Sequence, residues 1–185
     1  DTYKTVHNMM YPEGLEYLVS YWVPRKSYFE KEGNQKMVWF GLQAFIKEYL
    51  VDYFEKNFFK KNLKSVLNEY KTYMNVQLGS GSYKTEHIEK LHKLGYLPLD
   101  IEALPEGSLV NMGVPMIHIH NTLPEFHWLC QWFECWVLNE FWKSCNFATI
   151  GHMYYKLAKK YYDMTTDGLD PRNAAADFSM RGMSG

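Results

Sequence analysis

Residues 121–145 read NTLPEFHWLCQWFECWVLNEFWKSC, and no other stretch constrains the architecture as strongly. Asn121 supplies a capping side chain, Pro124 suits a first turn and Glu125 places an acid near the positive end of the helix dipole. A helix is therefore expected to start here and to run to about Cys145. Trp128, Trp132 and Trp136 form one stripe along it, and Phe126, Leu129, Phe133, Val137 and Phe141 form another. A helix apolar on two faces has to be buried on both. A core helix that also enters a subunit interface satisfies this best, because a membrane-surface helix needs a basic face and only Lys143 is available.

Downstream, a new helix is expected over residues 148–163, with Lys156, Lys159 and Lys160 as its polar side. Asp167-Gly168-Leu169-Asp170-Pro171 breaks it and leads into a short closing strand, residues 174–178. Upstream, residues 99–104 alternate apolar and polar side chains, and residues 109–110 and 115–120 read as further strands of a small antiparallel unit. His118 and His120 share one face of the last of these. No third ligand stands at a natural distance, so they read as solvent-facing or hydrogen-bonded histidines rather than a zinc pair.

Nearer the start, residues 15–23 read as a strand closed by Pro24, with Arg25 and Lys26 just past its end, facing either solvent or a phosphate. Residues 37–50 carry Val38, Leu42, Phe45, Ile46 and Tyr49 at helical spacing, with Gly41 inside as a sign of close packing. A second helix is expected over residues 51–77, with Lys60, Lys61 and Lys64 as a solvated face, ended by Leu78-Gly79-Ser80-Gly81. Ser82 or Thr85 then caps a short surface helix through His92, closed by Gly95, and the five-residue spacing of His87 and His92 disfavours a metal site. The opening residues 1–7 are polar and read as a loosely held terminus. Short, mostly antiparallel strands among several helices define an α+β class.

Bulk properties narrow the function. With 185 residues, 46% hydrophobic and 22% charged, the chain is globular and long enough for one good core or slightly more. A net charge of −1 argues against nucleic-acid binding driven by bulk electrostatics, while a local anion site of Arg and Lys stays compatible with it. The 17% aromatic content points to large buried aromatic surfaces or an oligomer interface. Cys130, Cys135 and Cys145 form no CxxC pair, so reduced thiols in a cytoplasmic protein are expected. No signal peptide and no apolar run of membrane-spanning length stands out.

The closing stretch, Asp177-Phe178-Ser179-Met180-Arg181-Gly182-Met183-Ser184-Gly185, packs an acid, an aromatic and an arginine among small residues. One reading is an ordinary strand end with a core Phe and a surface Arg. The other is a grip on a flat, anionic ligand, with the Phe178 ring stacking, the planar Arg181 fork clamping oxygens, and Gly182 admitting the backbone closely.

Five segments in order carry a resemblance: Asp1-Thr2-Tyr3-Lys4 with His7 and Tyr11-Pro12; residues 20–25; Trp39-Phe40-Gly41-Leu42-Gln43; Leu104-Pro105-Glu106-Gly107; and Asp177-Phe178 with Arg181-Gly182. Together they resemble the nicotinate/nicotinamide phosphoribosyltransferase family from the first residue to the last. The resemblance implies the amino-terminal part of a longer enzyme. Residues 1–170 would be an α+β domain completed by a carboxy-terminal return segment, and residues 171–185 the start of a TIM-like barrel.

The implied reaction joins nicotinamide, or alternatively nicotinate, to 5-phosphoribosyl pyrophosphate. Pyrophosphate leaves with Mg²⁺, ATP is a possible co-substrate, and the product is the mononucleotide precursor of NAD. By the same resemblance Phe178 and the Tyr3 of a partner subunit would sandwich the ring. Arg181 would contact the ring substituent and phosphate, Asp1 and Asp177 would belong to the ring corner, and Arg25 would bind phosphate from across a homodimer. No catalytic residue falls within these positions. Ala176 stands where the animal enzymes commonly have His, and Ser179 where Gly is usual, which bears on recognition of the ring substituent. A non-catalytic dimerisation module is the alternative if the natural chain ends at Gly185.

Overall fold

The computed structural model describes residues 2–28, 31, 35–166, 168, 170–176 and 181. The class is α+β, with short antiparallel strands and several helices. β1 (Val19–Trp22), β5 (Ile117–Asn121) and β3 (Leu99–Ala103) form an antiparallel sheet in the order β1-β5-β3, and β2 (Lys36–Val38) pairs with β4 (Leu109–Asn111) in a second ladder. The central strand β5 buries Ile117, Ile119 and Asn121 and turns His118 and His120 outward, as the period-two geometry of a strand requires. His118 then meets Glu102 of β3 at 3.1 Å and stacks on Tyr21 of β1, while His120 lies 3.7 Å from Asp100. His118 is thus the hydrogen-bonded strand histidine expected, while His120 stands on the same face without a hydrogen bond to Asp100.

The aromatic stretch forms a 3₁₀ turn (Pro124–Phe126), then α4 (Leu129–Trp132), then α5 (Glu134–Thr165) after a break at Phe133. The restart expected at residue 148 does not occur. Val137, Phe141, Cys145 and Thr149 continue one buried stripe at four-residue spacing, so the same face stays in the core and 32 residues run as one helix about 48 Å long. Phe141 stacks on Trp39 with ring centroids 5.5 Å apart and meets Phe45 at 4.9 Å. Trp132 and Trp136 are only partly buried and pack against the core beside Phe54. The outer side of α5 is bare, with Leu138, Trp142, Tyr154, Leu157, Tyr161 and Met164 exposed.

Asn121 is not a helix cap. It ends β5 fully buried, its Nδ2 donating to Glu16 O (2.8 Å) and Leu123 O (2.9 Å) and its Oδ1 accepting from Leu18 N (2.9 Å). One side chain thereby ties the segment entering β1 to the chain entering α4.

The helix expected over residues 37–50 begins only at Leu42. Residues 36–38 are β2, and Gly41, at φ 104°, turns the chain between strand and helix. A Cβ on Gly41 would lie 2.8 Å from Ser144 Cβ of α5, so the close packing is real although its place is at the helix start. From α1 (Leu42–Phe45) the helix widens into π-type turns over Ile46–Tyr53 and Glu55–Phe59. No proline or glycine marks the widening, and we have no physical account of it. The chain breaks at residues 60–62, where Asn62 Oδ1 caps α2 (Leu63–Leu78) by accepting from Lys64 N and Ser65 N. Lys60 and Lys61 sit at this break, paired with Glu55 and Glu69, rather than along a continuous helix.

α3 (Glu86–Leu94) closes at Gly95 in the left-handed conformation, as expected, with Thr85 at its start making no side-chain cap bond. It is not a plain surface helix. His87 is mostly buried, accepts from Asn8 Nδ2 at 3.0 Å and meets the Trp128 ring edge-on at 4.8 Å. The strand expected over residues 15–23 shortens to β1 itself. The closing strand is absent as far as described: Pro171–Asn173 is a 3₁₀ turn, residues 174–176 are irregular, and residues 177 and 178 lie outside the described residues.

Candidate functional site

Residues Thr2–Met9 form a 3₁₀ helix that leaves Tyr3 55% exposed. The opening is not loosely held. Lys4 is only 7% exposed, its Nζ pairing with the Glu134 carboxylate at the start of α5 and donating to Gln131 Oε1 of α4 at 3.1 Å. Lysine is almost never buried without such partners, because removing an ammonium from water is costly unless it is paired and hydrogen-bonded. A ladder of rings continues the attachment, from Tyr3 to His7 at 5.2 Å, His7 to Tyr11 at 6.0 Å and Tyr11 to His127 at 5.1 Å. Asn8 on the same arm reaches His87, whose burial pushes its pKa down to about 4 and keeps the ring neutral as an acceptor.

Arg25 is exposed beyond β1. It borders a groove of about 440 Å³ whose floor includes Ser20, Gln131 and Glu134 and whose walls include Tyr21 and Leu138. Gln131 and Glu134 also hold Lys4, so the arm bearing Tyr3 and the loop bearing Arg25 meet at one groove, beside the first turns of α5. A second groove, about 370 Å³, runs from Arg25 past Trp142 to Ile150.

The closing segment lies farther along the same helix. Pro171, Arg172 and residues 174–176 line, with the α5 side chains Phe147, Ile150, Tyr154 and Tyr155, an open groove of about 890 Å³. Asp170 caps the 3₁₀ turn through Arg172 N at 2.9 Å and holds the Arg172 guanidinium at 2.6 Å, which pulls its own carboxyl below the usual carboxylate range. Phe147 and Glu134 are about 20 Å apart along the α5 axis at 1.5 Å per residue. In a single chain, then, the Tyr3 arm sits at the first turn of α5 and the closing segment against its middle turns. Arg181 is described and exposed; Asp1, Asp177 and Phe178 lie outside the described residues.

Sequence reasoning did not single out Lys4, Gln131, Glu134 or Arg172. The available signal was a polar pair, Gln131 and Glu134, interrupting a helix that is otherwise aromatic and aliphatic. Burial pushes the Cys130 and Cys145 thiols up to about 11, which makes both poor nucleophiles. Among the described residues no three His, Cys, Asp or Glu side chains converge as a metal site, and no helix is long and apolar enough to cross a membrane.

No protein-family model matches the chain. In the solved structure of human nicotinic acid phosphoribosyltransferase the same fold recurs with a TM-score of 0.58 over 85% of this chain and 28% of that one, at 19% identity. The fold is thus that of the amino-terminal part of a pyridine phosphoribosyltransferase. In sequence, the whole chain aligns at 44% identity with 37% of the nicotinamide phosphoribosyltransferase of Acinetobacter baylyi, and at 29% identity with 43% of the protein of that name from Mycoplasma genitalium. The chain is therefore a homologue of the nicotinamide phosphoribosyltransferases, and it spans roughly two fifths of the length of these relatives.

Proposed function

We propose that this chain supplies part of the active site of a nicotinamide phosphoribosyltransferase, which transfers phosphoribosyl from 5-phosphoribosyl pyrophosphate to nicotinamide and releases pyrophosphate. The observation that carries this reading is the placement of the Tyr3 arm and the Arg25 groove at the first turns of α5, with the closing segment against its middle turns, about 20 Å farther along. Two chains in a homodimer would bring the two regions together, Tyr3 and Arg25 of one facing Phe178 and Arg181 of its partner. The bare apolar stripe on α5, from Leu138 and Trp142 to Met164, supports such pairing, since exposed apolar surface of this extent marks an interaction surface.

The chemistry asked of these residues is alignment and charge neutralisation. The pyridine nitrogen has to face the anomeric carbon while positive charge develops on the ribosyl ring and negative charge on the departing diphosphate. Aromatic faces at Tyr3 and Phe178 fix the ring plane. Arg181 serves the ring substituent and phosphate, Arg25 the phosphates, and Asp1 with Asp177 the ring corner. Mg²⁺ would arrive with the pyrophosphate group, as the family resemblance implies. We assign no step here to Mg²⁺ or to ATP.

Nicotinate is the second reading, favoured by the name of the structural neighbour. Turnover of the intact protein with each pyridine decides between them: nicotinamide is expected to be used with the higher kcat/KM. Mixed dimers test the shared site. Tyr3→Ala and Arg181→Ala homodimers are expected to lose pyridine use, and a heterodimer of the two to regain one working site. A heterodimer as inactive as its parents would refute the arrangement.

A further inference from the structure

Tyr3 stands on a short 3₁₀ helix, a weak scaffold for a ring that has to present one face in a fixed plane. The structure braces it from beside and beneath. Lys4 Nζ lies 5.4 Å from the Tyr3 ring centroid while remaining bound to Glu134 and to Gln131 Oε1, and the His7 ring stands 5.2 Å away at 47°. A single ammonium is thus shared between the start of α5 and the face of the aromatic ring. An arm that needed only anchoring could be held by an apolar side chain, without the cost of burying a charge. A fixed cation also sets where the ring sits, because the attraction between a cation and a π-face depends on geometry.

The same anchor extends to β1. Gln131 Nε2 donates to Ser20 Oγ at 3.4 Å, and Ser20 Oγ donates to Cys130 O at 3.2 Å. Gln131 and Glu134 also floor the groove that Arg25 borders. One polar chain therefore runs from Tyr3 through Lys4 and Gln131 to β1, whose following loop carries Arg25.

We infer that Lys4, Glu134 and Gln131 are positioning residues for the pyridine site, holding the Tyr3 ring in its stacking plane through the buried ammonium. This rests on the reading of Tyr3 as a stacking face. In the intact protein, Lys4→Met keeps an apolar stem of similar length in the buried slot and removes the charge. The expected result is a rise of about fivefold in the pyridine KM, the size of one cation–π contact to a half-exposed ring, with kcat and the KM for 5-phosphoribosyl pyrophosphate within about twofold. Lys4→Arg should restore part of the loss, and Lys4→Met on a Tyr3→Ala background should add nothing, since the lysine acts through the ring.

Should Lys4→Met fail to fold, Glu134→Gln provides the same reading. Its side chain is 43% exposed, it keeps an acceptor for Lys4, and it should raise the pyridine KM about two- to threefold. An unchanged pyridine KM in the folded variant, or additive effects in the double variant, overturns the inference while leaving the Tyr3 reading intact. If Tyr3→Ala itself leaves the pyridine KM unchanged, both are overturned.

Discussion

Asn121→Asp exchanges one amide nitrogen for an oxygen and should cost about 3 kcal/mol of stability at pH 7. Asn121 is fully buried and makes its three bonds to backbone groups. Aspartate keeps the shape and still accepts from Leu18 N. The two donations, to Glu16 O at 2.8 Å and Leu123 O at 2.9 Å, become contacts between oxygens. Each net hydrogen bond contributes about 1 kcal/mol; Leu123 O keeps Phe126 N as a partner at 3.1 Å, whereas Glu16 O losing its partner costs about 1 kcal/mol more, which gives about 3 kcal/mol. When protonated, the introduced carboxyl can donate to one carbonyl, which raises its folded-state pKa above its unfolded value. Stability is then lost as pH rises through that interval, and the deficit against the parent protein should shrink from pH 7 towards pH 5. Urea unfolding at both pH values, with the exposed Asn139→Asp as a control, measures it. A deficit below about 1 kcal/mol at pH 7 with an unchanged m-value, or one that does not shrink at pH 5, would refute the clamp.

Burial depresses the His87 pKa to about 4, so the unfolded chain binds the proton more readily. Stability should be complete above pH 6.5 and fall by about 3 kcal/mol as pH drops towards 4, whereas His87→Gln should flatten this slope in pH-dependent unfolding curves. An equal slope in that variant would place the effect elsewhere. Gly41→Ala should cost about 3 kcal/mol, combining a positive φ of 104° with a Cβ 2.8 Å from Ser144 Cβ. Adding Ser144→Gly should return only the part due to the contact, so full recovery of the melting temperature would show that φ carries no strain.

Where one face of an element alternates or repeats without interruption, local spacing is sufficient. β3, β5 and α3 fall within a few residues of their expected bounds, because period-two alternation and the Gly95 stop are local signals. Errors arise where apolar spacing is read across a conformational break. Val38, Leu42 and Phe45 fit a helix on paper, yet Gly41 turns the chain so that Val38 pairs in a ladder and Phe45 faces α5. Asn62 and Asn121 mislead in opposite directions: one caps α2 unannounced, and the other, which resembles a cap, is spent on three backbone groups around residues 16–18 and 123.

The candidate site divides in the same way. Tyr3, Arg25, Phe178 and Arg181 were nominated from motif order, which carries chemical type because residue type is local information, and their roles belong to the proposal. Sequence alone determined the α+β class, the burial of the Phe126, Leu129, Phe133, Val137 and Phe141 stripe, though not of the second face, and the kinship with the pyridine phosphoribosyltransferases. Only the tertiary structure decided that Lys4 is buried against Gln131 and Glu134, some 130 positions away, and that the Tyr3 arm and closing segment rest on different turns of one 32-residue helix, its start and its middle. The reason is physical: whether a lysine is solvated or paired in the interior depends on which distant carboxylate the packing of the whole chain brings to it, and no local spacing records that.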